Sequence, residues 1–181
     1  DTGLAVTNYH VINTAASAVI IMPDGATYDV AGIYDYSQTY DLALLQIDGS
    51  GFPYLDIGDS TSLLTGADIY AIGYPGGIAQ TFTPGIITNK SYLLESVSYI
   101  LINAAISPGS SGGALLNTYG EVIGVTSASY TSAQNLNLAV PIHLIQSLSQ
   151  DEYAPLSPAA SQDQADYQIT ATPTNFSVAV G

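Results

Sequence analysis

Apolar residues in this chain arrive in short runs, alternating or continuous, each cut off by glycine, proline or aspartate. That pattern predicts strands rather than helices. Ser17–Met22 runs through Pro23-Asp24-Gly25 into Thr27–Ile33, two β-branched runs around a turn-forming triplet, which predicts a hairpin. Further strands are predicted over 42–47, 68–73, 81–87, 98–104, 121–128 and 136–140. Many short strands with regular turns give an all-β chain built as a barrel or a sandwich. Asp56–Ser60 through Thr65-Gly66 is the expected link between two halves, 1–60 and 65–150. One helix is predicted at Pro141–Leu148: Pro141 suits a first helical position, and Leu144, Ile145 and Leu148 share a face. Residues 151–166 are rich in Pro, Ala, Ser, Gln and Asp and predict a linker. A strand-like tail follows over 167–181.

Composition narrows the function. The 181 residues are 47% hydrophobic, enough for one compact unit of two small barrels. One lysine, Lys90, stands against fifteen acids, for a net charge of −14. That balance argues against nucleic acid and anionic membrane surfaces as partners. It fits an acidic, Tyr/Ser/Thr-rich surface and could favour cationic substrates. Cysteine is absent, so disulfides are excluded. No apolar run approaches the ~18 residues of a membrane-spanning helix, so no integral membrane segment is expected. No signal peptide is visible. With two histidines and no cysteine there is little for zinc. The groupings Asp24/Asp29 and Asp48/Asp56/Asp59 lack a dense ligand loop for calcium and read as turn aspartates. No metal and no cofactor is expected.

Chemistry concentrates in three fragments. Ser107-Pro108-Gly109-Ser110-Ser111-Gly112-Gly113 sets a hydroxyl in a run that no regular element would choose. Its glycines permit positive φ and close approach. Such a turn can expose a serine beside backbone N–H groups, as acyl transfer requires of a nucleophile and oxyanion hole. Val6-Thr7-Asn8-Tyr9-His10-Val11 and Asp41-Leu42-Ala43-Leu44-Leu45 supply a base and a carboxylate, each beside an apolar strand-like run. Taken singly, each has an ordinary reading: a Ser/Gly loop, a structural histidine, a turn aspartate. Together, in the order His, Asp, Ser, they make a catalytic constellation. His143, on the expected helix, reads as exposed and not catalytic.

With those fragments, Ala71-Ile72-Gly73-Tyr74-Pro75-Gly76-Gly77, Asn103–Ile106 and Leu138-Ala139-Val140-Pro141, the chain resembles the chymotrypsin-fold serine proteases, and within them the bacterial HtrA (Deg) type. The resemblance runs over about residues 3–148. It implies two six-stranded Greek-key β-barrels with a short C-terminal helix. The first barrel is expected to be incomplete, since His10 is only the tenth residue and Asp1–Thr7 can be only the last part of the hairpin ahead of it. It implies His10 as general base, Asp41 as its orienter and Ser111 as nucleophile. The oxyanion would be met by the N–H groups of Gly109 and Ser111. Ser110 stands where trypsin-like zymogens carry the aspartate that pairs with a newly cut N-terminus, so that route of activation is not expected. Ala105 stands where trypsin carries an acid, and with Ile106 it suggests a small apolar pocket for Val, Ala, Ile or Leu. The strand holding Ser127, Ala128 and Ser129 is expected to pair with extended substrate.

The implied function is a serine endopeptidase acting on extended or unfolded polypeptide, exported or on the bacterial surface. Two alternatives stand beside it: a catalytically impaired peptide-binding module of the same fold, and a structural surface domain with an incidental triad. Residues 167–181 resemble the opening strands of a bacterial immunoglobulin-like domain; the rival expectation is that they pack on the protease and cover its open edge. Oligomeric state is left open.

Overall fold

The structure, a computed structural model, describes residues 2–22, 24–75, 79–129, 136–156 and 165–170, with backbone alone for 128–129 and 165–170. The chain divides into two compact units, residues 1–55 with 146–181, and residues 56–145.

The first unit is a five-stranded sheet in the order β1-β4-β3-β2-β11. Its strands are β1 (Leu4–Thr7), β2 (Ala15–Ile21), β3 (Thr27–Ser37), β4 (Leu42–Ile47) and β11 (Ala165–Thr170). The expected hairpin is present: β2 and β3 are antiparallel, with Val19 opposite Asp29 and Ile21 opposite Thr27. The Asp24 carboxylate accepts the Ala26 N–H at 2.9 Å, which holds the turn. β4 lies between two neighbours and is buried on both faces from Leu42 to Leu45. Its continuous apolar run, with no alternation, is what a central strand needs. Ile20, Val30, Leu45, Ile47 and Phe52 form the core. At ~25 cal/mol per Å² of apolar area, such burial is the main source of stability.

Residues 153–156, expected to be linker, instead lie along β3. Ile33 and Ala154 exchange backbone hydrogen bonds of 2.8 and 2.9 Å. Tyr153 meets Tyr34 edge-on at 5.4 Å, and Leu156 packs on the core. A polar composition did not reveal one aromatic and one leucine spaced to reach an apolar face. β11 then pairs with β2 in parallel, Gln168 opposite Val19. Residues 171–181, most of the segment compared with an immunoglobulin-like domain, lie outside the described residues.

The second unit is a closed barrel in the order β10-β7-β6-β5-β8-β9. It comprises β5 (Asp68–Gly73), β6 (Thr81–Leu94), β7 (Val97–Ile102), β8 (Ala114–Leu116), β9 (Val122–Ser129) and β10 (Asn137–Pro141). β6 is longer than its apolar run because bulges near Asn89 bend it from β5 onto β7. Ile69, Ile87, Ile100, Ile102, Leu115 and Ile123 fill the interior. Residues 56–58, expected in a link, belong to this unit: Val122 N donates to Asp56 O at 2.8 Å, and Gly58 N to Val122 O at 2.9 Å.

The predicted helix needs correcting. Pro141 closes β10, opposite Gly124, and Ile142–Ser147 is a 3-10 helix. Six residues that bury Ile142 and Ile145 take the tighter winding that short segments favour. His143 is not exposed as expected but half-buried. Its Nδ1 lies 2.8 Å from the Ser60 hydroxyl oxygen, which also accepts the His143 N–H at 3.0 Å. Ser60 is buried, and a buried hydroxyl needs such a partner.

Candidate active site

The imidazole–carboxylate pair lies wholly in the first unit. β1 ends at Thr7, Asn8 is extended (φ −74°, ψ 144°), and a single helical turn, α1 (Tyr9–Ile12), begins there. Asp41 occupies the residue before β4 in the left-handed region (φ 53°). Few residues other than glycine accept that backbone; aspartate is among those that do. One Asp41 oxygen, Oδ2, lies 2.7 Å from His10 Nδ1. The other, Oδ1, accepts the His10 backbone N–H at 2.9 Å. The carboxylate thus fixes both the ring and the chain of one residue.

A carboxylate only accepts, so Nδ1 carries the hydrogen and the lone pair is left on Nε2. That is the tautomer a general base requires. The His10 side chain is 48% exposed and that of Asp41 22%. Asn8, fully buried, donates from Nδ2 to the Asp41 carbonyl at 2.8 Å. This amide pins the strained residue by its backbone, a role the sequence did not disclose although Asn8 stands in the same fragment as His10.

The turn that carries Ser111 lies wholly in the second unit. Ser110 N donates to Ser107 O at 2.9 Å and Gly113 N to Ser110 O at 3.1 Å, which makes two successive turns. Gly109 (φ 96°) and Gly112 (φ 83°) hold the left-handed conformations between them. Gly113 is required for a different reason: a Cβ there would stand 2.1 Å from Ile72 O. The turns are tied to β9 by Gly112 N to Thr126 O at 2.9 Å and Thr126 N to Gly113 O at 2.8 Å. The buried Thr126 hydroxyl donates to Ser110 O at 2.6 Å. Ser111 is half-buried, and its Oγ donates to Ser127 O at 2.7 Å.

The remaining expected residues share this unit. Ala105 is exposed; Ile106 is half-buried against the barrel core. Asn137, buried in β10, donates to Ala104 O at 2.6 Å and holds that segment. Ser127 is 8% exposed, while Ala128 and Ser129 lie opposite Leu138 and Asn137. Of the turn aspartates, Asp59 accepts from the Thr61 N–H at 2.8 Å and the Thr61 hydroxyl at 2.6 Å. Chiefly the Thr61 hydroxyl, then that of Ser62, lowers its carboxyl from 3.8 to about 2. Among the described residues no three His, Cys, Asp or Glu groups gather as a metal site would need. Among them, too, no helix is long and apolar enough to cross a membrane.

Comparison with known proteins fits this arrangement. Residues 1–125 match the family described as "Trypsin-like peptidase domain". The chain is 36% identical over 151 residues to a putative serine protease HhoA of Synechocystis sp., covering 78% of this chain and 38% of that protein. It is 38% identical over 132 residues to a probable periplasmic serine endoprotease DegP-like of Chlamydia trachomatis, covering 71% of this chain and 26% of that one. It therefore spans well under half the length of either. Among solved structures, the serine endoprotease from Yersinia pestis superposes with a TM-score of 0.71 at 32% identity, over 81% of this chain and 52% of that chain. The HtrA-type protease AlgW with decapeptide gives 0.71 at 33%, over 80% and 46%. With its sheet and barrel, its imidazole–carboxylate pair and this match, the chain belongs to the trypsin-like peptidase domain family, and the relatives and solved structures it resembles are HtrA/DegP-type serine proteases.

Proposed function

We propose that the chain is a serine endopeptidase whose triad is His10, Asp41 and Ser111. The observation that carries this reading is the carboxylate's double hold on His10, at 2.7 Å to the ring and 2.9 Å to the backbone. A structural aspartate has no need to fix an exposed imidazole in one tautomer. His10 would take the Ser111 proton as the oxygen attacks a peptide carbonyl, then pass it to the leaving amine. Water would hydrolyse the acyl-enzyme by the same relay. The N–H groups of Gly109 and Ser111 would meet the oxyanion; losing one such donor typically costs ~10²–10³ in rate.

Ala105 and Ile106 favour small aliphatic residues before the cut, and β9 would receive an extended substrate as an added strand. The names of the relatives, periplasmic among them, support export of this chain. A net charge of −14 supports polypeptide rather than nucleic acid as the partner. A fluorophosphonate probe tests the reading. It should label the wild type and not Ser111→Ala, and Asp41→Asn should slow labelling by about 10⁴. Wild type that stays unlabelled at high probe concentration would refute it. A peptide library cut mainly after Arg or Lys would reject the pocket assignment.

One observation favours the second reading, a catalytically impaired peptide-binding module. The Ser111 hydroxyl donates to Ser127 O, which is not the partner a nucleophile needs. Under that reading extended peptides bind with micromolar or weaker affinity and labelling stays absent. Under the first, the hydroxyl turns to the imidazole once a substrate is seated.

A further inference from the structure

The first unit carries a trough of about 320 Å³ that the proposed chemistry does not use. It is lined by Tyr9, Ile12 and Asn13, by β3 from Ile33 to Tyr36, and by Ala154–Leu156. A bulge between Ile33 and Asp35 breaks the pairing of β3 with β4 at Tyr34, where a bulge can re-aim side chains. Tyr9 and Tyr36 stack at 4.6 Å with planes 17° apart, and the Tyr34 ring meets Tyr153 edge-on. Gln38 Nε2 donates to the Tyr9 hydroxyl at 3.2 Å, and the Tyr34 hydroxyl donates to Gln46 at 2.9 Å. The Tyr9 and Tyr34 rings are thus held from their rims. Asp35 is fixed through the N–H groups of Tyr36 and Ser149, at 2.8 and 2.9 Å.

We propose that this trough binds the basic side chain, arginine above all, of a partner polypeptide. A stacked pair uses one face of each ring and leaves an outer face, whose π density attracts a cation within about 6 Å. A guanidinium is planar, weakly hydrated and suited both to lie on such a face and to pair with a carboxylate. Asp35 is the carboxylate in the lining, and each of its oxygens takes one N–H in the described bonds, whereas a carboxylate has about four acceptor sites. The given sequence holds no arginine, and its one lysine, Lys90, lies on β6, so an arginine occupant comes from a polypeptide segment outside these residues. A net charge of −14 draws cationic segments toward the surface, and the aromatic trough gives one a place to dock. This site is independent of the residue before the cut, which the Ala105/Ile106 pocket governs, and it stands whether or not the chain is catalytic.

The test is titration of the full Ser111→Ala chain, which cannot cut the ligand, with two blocked pentapeptides. One has arginine at its centre; the other has citrulline, an uncharged group of the same shape. Arginine should bind about tenfold more tightly and shift the Tyr9, Tyr34 and Tyr36 ring resonances. Tyr36→Ala and Asp35→Asn should each weaken it roughly 3–10-fold, while Tyr54→Ala, at another exposed tyrosine of the same unit, changes nothing. Tyr36 is 48% exposed, so its truncation leaves the fold in place and decides the matter alone. Equal affinity for the two peptides overturns the proposal. So does an arginine preference that survives Tyr36→Ala, which would be diffuse attraction to an acidic surface.

Discussion

The two units use the same strand chemistry with different boundary conditions. The barrel of residues 56–145 closes on itself, so every strand has two neighbours. The sheet of the other unit ends at β1 on one side and at β11 on the other. Closure removes edges; an open sheet must manage them with short strands, bulges or covers. β1 is four residues long, β3 has two register shifts, and residues 153–156 are laid on β3 with β11 against β2. The lesson is that stability in the barrel is spread around a ring, whereas in the sheet it rests on a few local ties.

The largest test of that contrast is matched truncation. Ile100→Ala, at a fully buried barrel position, should cost ~2–5 kcal/mol by chemical denaturation, because a ring of strands has little freedom to collapse onto the void. Ile20→Ala in β2 should cost less, since a strand near an open edge can relax inward; an equal or larger cost would break the comparison. Next comes Asn8→Ala. It strips the Asp41 carbonyl of its buried donor, which should cost ~1–3 kcal/mol and slow fluorophosphonate labelling, with the barrel amides still protected from hydrogen exchange. Smaller again is Ala154→Pro, which deletes the N–H given to Ile33 O. It should raise exchange in β3 by an amount equivalent to ~0.5–1.5 kcal/mol and leave β7 and β10 unchanged.

The smallest effect is electrostatic and belongs to the barrel unit. Asp59 titrates at about 2 in the folded chain, below the ordinary 3.8. A depressed carboxyl adds stability that is complete above the unfolded value and lost as pH falls toward 2. Melting curves of wild type and Asp59→Asn should therefore differ slightly at pH 6 and converge near pH 2. Asp59 is fully exposed, so the gap should also narrow in high salt.

Much of this was legible in the residues, for identifiable reasons. The predicted spans 42–47 and 68–73 coincide with β4 and β5, because both are apolar runs bounded by turn residues. His10 and Asp41 were recognisable from their neighbours, and the structure joins them. What escaped depended on distant partners. β8 has three residues, too few to show a period, and is a strand only because β5 and β9 flank it. Ile142–Ser147 carries a helical pattern, but periodicity does not distinguish a 3-10 turn from an α-helix at that length. The roles of His143, Asn137 and Thr126 follow from Ser60, Ala104 and Ser110, none of them near in sequence.

Because Asp41 grips His10 at two points, sliding and swivelling are both arrested. A disturbance arriving along α1 or through the start of β4 would shift base and carboxylate as a single body, preserving their alignment. Substitutions beneath them should therefore alter how often the proposed enzyme turns over while leaving the imidazole and the carboxylate in register.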